Sequence, residues 1–347
     1  MHLYRICVCL MIWLVSGMTA QAADSSAVVF SYNKFGETGS AITNVTMAQF
    51  DAHLAELTSG RYTVLPLPEI IDALQSGREL TDPAIAITID DAYRSFYERA
   101  WPKLRDAKLP FTLFVWTDAL DQKLRGYMSW DEVRELAKAG VTIGNHGAAH
   151  LDMALQTDTV NRADLEKAQA RFDAELGAKP TLLAYPYGGY GKRERDLAAA
   201  LGFKAAFGHH SGVVYNGADM MALPRFALNE KHGGMARFKT AANAWPLRVT
   251  DLTPGDPVLT AENNPPNLGF TVSKKTGGLG SLSCFAGHQD APLRIERLGS
   301  GRVEVRMEKA FPVGNGRVNC TMPTGSGRWR WFGAPFTVTP AVTPTLQ

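Results

Sequence analysis

Two hydrophobic periods organise this 347-residue chain, and the place where one gives way to the other divides it. Short, near-continuous apolar runs at 27–32, 84–89, 111–116, 141–145, 181–185 and 203–207 read as strands buried on both faces, and 221–228 reads as a further strand. Helical patterns fall between them. Thr46 with Gln49 makes a capping box for a helix whose Met47, Phe50, Leu54 and Leu57 share one face, and Ser129 with Glu132 caps another that runs to Ala139. Further helices are expected at 68–74, 93–105, 159–176 and 192–201. Repeated βα units from residue 27 to about 243 predict a barrel-like parallel α/β fold with fewer than eight complete units.

Helical periodicity stops near residues 246–257, where Gly, Thr, Pro and Asn become frequent. Residues 302–308 alternate strictly, Asn315 and Gly316 give a hairpin signal, and 328–332 alternate again. This predicts a small β-sandwich over 256–338. Strict alternation puts Trp329 and Trp331 on one face, expected to be core. No repeat or low-complexity tract stands out.

The first residues read as an export signal: Arg5 as the only charge, an apolar stretch over 6–15 and a small-residue cleavage site at 20–22. Its apolar core is too short to span a bilayer comfortably, so no stable membrane anchor is expected. The predicted division is therefore 1–22 signal peptide, 23–247 α/β domain and 248–347 C-terminal β domain. Cys7 and Cys9 leave with the signal, and the remaining Cys284 and Cys320 suggest a disulfide in a periplasmic or extracellular protein. Without Arg5, 35 basic residues face 34 acidic ones, which gives no support for nucleic acid as a partner. Oligomeric state is not legible.

The candidate chemistry lies at strand ends. Asp90 and Asp91 close the apolar run at 84–89, and His146 and His150 follow the run at 141–145. At that edge of parallel α/β folds, active sites are assembled. One carboxylate with two imidazoles is a common ligand set for a catalytic divalent metal, and a spare carboxylate beside it suits a general base. Side chains of neighbouring residues on an extended strand end would point opposite ways, separating the two aspartates. A helical turn after Gly147 would put His146 and His150 on one face.

Thr88, Ile89, Asp90 and Asp91, then His146 with His150, then Ala184, Tyr185, Pro186, Tyr187 and Gly188, resemble three ordered motifs of the NodB-homology polysaccharide deacetylases. The resemblance covers about 27–243. It implies a distorted (β/α) barrel and a metal-dependent hydrolase removing N-acetyl groups from an acetylated polysaccharide. It further implies Asp90 as base, Asp91, His146 and His150 as metal ligands, and the backbone of Tyr187 as oxyanion donor. Such a ligand set takes zinc first, with cobalt or nickel possible. An ester-cleaving O-deacetylase and an inactive glycan-binding relative are the alternatives.

The chain departs from the family pattern in three places. Ala184 replaces the arginine that steadies the base, a charge that Arg225 could supply. Asn33 stands where some relatives carry histidine, and no role is assigned to it. The late histidine motif that supplies the acid is absent, leaving His210 as the favoured candidate, with His209 and His232 as alternatives. His53 and His288 are expected on the surface or in a core.

Overall fold

The computed structural model of the chain describes residues 25–273, 276–299 and 301–340. The expected leader, 1–22, lies outside the described residues. Strands Ser26–Tyr32, Ala84–Ile89, Thr112–Val115, Thr142–Asn145, Leu182–Ala184 and Ala205–Phe207 pair in that order, all parallel. The sheet then curls back on itself. Leu223 bridges Phe207, while Phe226 and Ala227 pair in parallel with Phe30 and Ser31 of the first strand. The expected strand at 221–228 is thus reduced to a bridge and the pair Phe226–Ala227, which is why the barrel is distorted.

Both expected capping boxes are present, at Thr46 for helix Met47–Leu57 and at Ser129 for helix Trp130–Lys138. The helix expected at 93–105 begins later, with a π turn at Phe96–Ala100 leading into Trp101–Asp106. Strand residues divide between two cores by parity. Val28, Phe30, Ile85, Ile87 and Ile89 join one cluster, and Ala27, Val29, Ala84, Ala86 and Phe114 another. The second face is built largely from alanines, so it leaves room for one large side chain, and Arg225 occupies it over the Phe114 ring.

The C-terminal region forms two sheets around a common core that includes Phe270, Val303, Val305, Val318 and Phe336. Cys284 and Cys320 face each other on adjacent antiparallel strands and are disulfide-bonded. The sandwich begins slightly before the expected boundary, because Trp245–Pro246 already pairs with Arg330 and Trp331. Trp331 packs edge-on against Phe226 of the barrel at 5.0 Å, and Gly333 lets the backbone approach Ser211 more closely than any Cβ would allow. Trp329, expected to be core, is 40% exposed.

One turn expectation is overturned. Asn315 and Gly316 lie inside the ten-residue strand Gly314–Pro323, whose partner Trp329–Val338 follows a turn closed by Thr324 and Arg328. Glycine stands at 316 because the Phe311 ring lies 2.3 Å from where a Cβ would sit. Gly316→Ala should therefore cost about 1–3 kcal/mol of unfolding free energy by overpacking. Gly325→Ala in the true turn, where a Cβ meets nothing within 4 Å, should change stability little in the same denaturant titration. Equal effects would contradict this placement.

Candidate active site

Asp90 still belongs to the ladder, its N–H donating to the Tyr32 carbonyl at 2.8 Å. The chain then turns left-handed at Asp91 (φ 73°) and Ala92 (φ 58°). This turn, and not the expected alternation of an extended strand end, sends the two carboxylates apart. Asp90 is fully buried, and Arg225 grips both its oxygens, at 2.7 and 2.9 Å. The same guanidinium donates to Thr88 Oγ1 at 3.0 Å and to the Gly208 carbonyl at 3.2 Å. His209 Nε2 lies 3.0 Å from Asp90 Oδ2 and must donate, because a carboxylate only accepts. Burial pushes the Asp90 carboxyl up, but Arg225 and His209 outweigh it and hold the group well below the usual range.

Asp91 faces the histidines. Its Oδ1 is 3.1 Å from His150 Nε2 and 3.4 Å from His146 Nε2, and its Oδ2 accepts from Asn33 Nδ2 at 2.6 Å. His146 Nδ1 donates to the Ala184 carbonyl at 2.7 Å. In its neutral form the Nε2 lone pair then points at a carboxylate oxygen, a repulsive pairing that a bound cation or a proton on Nε2 relieves. Ligand atoms of all three residues lie within 4.8 Å of one another. The donor set therefore fits a divalent metal. No helix joins His146 to His150, contrary to expectation. Gly147 (φ 77°) and His150 (φ 54°) make an irregular loop, with the Ala148 and Ala149 N–H groups donating to Asp164 at 2.9 and 2.8 Å.

Tyr187 sits on the short turn Pro186–Gly188 with φ 59°, and its 55% exposed side chain places its ring 4.6 Å from that of His150. Its carbonyl accepts from Asn315 of the sandwich at 3.2 Å, and the His209 carbonyl accepts from Arg317 at 2.9 Å. His210, the favoured acid, is not brought to the carboxylates. It is buried near Tyr190, and its Nδ1 has no hydrogen-bond partner among the described residues. His209 takes the place beside Asp90. His232 is hydrogen-bonded through its backbone to Asn229 and to Arg237 on the helix Met235–Ala242, away from the carboxylates. His53 is core, bridging Tyr32 and the Gly233 carbonyl.

Sequence reasoning left Asn33 without a role, although it directly follows the first strand and so shares the edge that carries Asp90. Nothing in the sequence pointed to Asp164.

Residues 77–206 match the family model described as polysaccharide deacetylase. The chain is 21% identical over 201 residues to a poly-beta-1,6-N-acetyl-D-glucosamine N-deacetylase of Staphylococcus aureus, spanning 54% of this chain and 68% of that protein. It is 22% identical over 212 residues to the Escherichia coli protein of that name, spanning 49% of this chain but only 31% of the other. In fold it resembles the Streptococcus pyogenes deacetylase PplD (TM-score 0.59, 19% identity, 63% of this chain and 99% of that one). It also resembles IcaB from Ammonifex degensii (TM-score 0.55, 22% identity, 63% and 97%).

Burial, with nearby Arg317 and His209, lowers the His210 pKa to about 3, against an ordinary value near 6.5. The unfolded chain then binds a proton that the folded one refuses, so stability is intact above pH 6.5 and falls as pH drops toward 3. From pH 6.5 to 5 the loss should be about 2 kcal/mol. His210→Gln should flatten the stability curve by that amount in denaturant titrations. Parallel curves for the two proteins would contradict it.

Proposed function

The chain carries a polysaccharide deacetylase domain, and from that premise we propose that it is a metal-dependent N-deacetylase of an extracytoplasmic polysaccharide containing N-acetylglucosamine. The observation that carries this reading is the division of labour at residues 90 and 91. One buried carboxylate is fixed by Arg225 and His209, and its neighbour faces two imidazoles. Asp91, His146 and His150 would hold the ion, with zinc favoured over cobalt or nickel. When bound, such an ion lowers the pKa of water and polarises an acetyl carbonyl.

The protein supplies the rest. Asp90 accepts the proton of the attacking water, and Arg225 keeps that carboxylate oriented in the absence of an arginine at 184. The left-handed turn at Tyr187 presents its backbone N–H to the developing oxyanion, while its exposed ring offers a face to a sugar. His209, whose pKa is lowered by burial but partly restored by Asp90, takes the acid role in place of His210 and returns a proton to the leaving amine. The leader-like residues 1–22 and the disulfide support an address outside the cytoplasm. Acetylated amide, in preference to ester, is supported by the names of the Staphylococcus aureus and Escherichia coli relatives.

Free amine released from acetylated oligosaccharides, with and without chelator, tests the reading: turnover should vanish with chelator and return with zinc. Asp90→Asn should lose about a hundredfold or more of turnover while elemental analysis still finds one metal per chain. Loss of the metal in that variant would mean that the two aspartates have exchanged roles. His209→Ala should lower turnover by about a hundredfold, and His210→Ala by much less. The reverse order would return the acid to His210.

A further inference from the structure

Beside the ligand cluster, a cleft of about 380 Å³ opens between the barrel rim and the C-terminal sandwich. Tyr187 and His209 line it from the barrel, and His288, Phe311, Asn315 and Arg317 from the sandwich. It adjoins the reactive centre through both barrel residues: the Tyr187 ring lies 4.6 Å from that of His150, and His209 is hydrogen-bonded to Asp90. Its size suits a small-molecule site.

Unmet polar capacity lies just beneath the walls. His210, 5% exposed, also lines the cleft, with its Nδ1 buried and unpartnered among the described residues. His288 holds the Lys309 carbonyl at 2.9 Å through Nε2 and leaves a buried Nδ1 without a partner. Buried polar atoms are seldom left so. With Nε2 donating to a carbonyl, the neutral His288 ring has only an acceptor at Nδ1; both Nδ1 atoms are covered, and the wall itself offers Asn315, Arg317 and Thr337 as polar side chains. Among the described residues, no carboxylate lines the cleft, and Arg317 is the one permanent charge there. Asn315 and Arg317 also hold the carbonyls of Tyr187 and His209, so this wall and the catalytic rim are joined.

We propose that this cleft is a subsite for an uncharged, N-acetylated sugar unit adjoining the one being hydrolysed. The proposal rests on the deacetylase reading above. Sugar hydroxyls and an acetamide find donors and acceptors here, whereas the ammonium of an already deacetylated unit meets Arg317 with no carboxylate to offset it. The sandwich thereby favours acetylated neighbours, and the product carries spaced amines in place of long deacetylated runs.

The test uses full-length, metal-loaded Asp90→Asn protein, so that binding is read without turnover, and calorimetry with β-1,6- and β-1,4-linked N-acetylglucosamine tetramers. Gly287 lines the cleft, and a Cβ built there meets nothing within 4 Å, so Gly287→Trp is the substitution chosen to fill the space, with its folding checked by thermal melt. His288→Ala removes one polar partner. Each should weaken binding of the preferred tetramer about tenfold, and the fully deacetylated tetramer should bind at least tenfold more weakly than the acetylated one. Unchanged affinity in both variants, or no tetramer binding at all, overturns the subsite. Equal affinity for the acetylated and deacetylated tetramers overturns its selectivity. Failure of the unsubstituted enzyme to release amine would sink the deacetylase reading instead, and the binding comparison would still stand.

Discussion

Arg225 and Asp90 meet inside the barrel with neither exposed to solvent, and the rest of the site is arranged around that ion pair. A buried pair is tolerated only when its remaining donors and acceptors are satisfied, and removing one partner of such a pair typically costs about 3–5 kcal/mol. Here the guanidinium also reaches Thr88 and Gly208, and the carboxylate also accepts from His209. The pair ties the end of strand Ala84–Ile89 to the 223–227 segment, where the ring of strands is otherwise weakest. One interaction thus closes the barrel and fixes the carboxylate proposed as base.

The alanine-rich face of the sheet is what makes this possible. Ala84, Ala86, Ala184 and Ala205 leave space that larger side chains would fill, and Arg225 takes it. With Ala184 in the third motif, the charge comes from a segment distant in sequence, while the Ala184 carbonyl still fixes the tautomer of His146. Loss of a side chain at one position and its supply from another are two halves of one packing solution.

Much of this was legible from residues alone. Strand positions, both capping boxes, the disulfide pair and the gathering of one aspartate with His146 and His150 follow from periodicity, short-range hydrogen bonding and strand ends, while the choice of Asp91 over Asp90 came from the family resemblance. What escaped depends on backbone reversals or long-range packing. Left-handed conformations at Asp91 and His150 are uncommon for non-glycine residues, though Asp and His adopt them more readily than most, and no local pattern announces them. Asn315 and Gly316 look like a turn, but the glycine answers to the Phe311 ring, a tertiary cause. His209 and His210 follow a short strand and Gly208, so which imidazole faces Asp90 is a question of parity that the sequence leaves open. The sandwich's reach to Tyr187 and His209 through Asn315 and Arg317 spans more than a hundred residues and has no local signature.

The central claim is that residues 90 and 91, adjacent in the chain, serve different masters: one a guanidinium, the other a cation. Anomalous diffraction at the zinc edge from crystals grown with zinc tests it most directly. The account predicts one peak within bonding distance of Asp91, His146 and His150, with Asp90 still held by Arg225. A peak ligated by Asp90, or none between the two imidazoles, would contradict it.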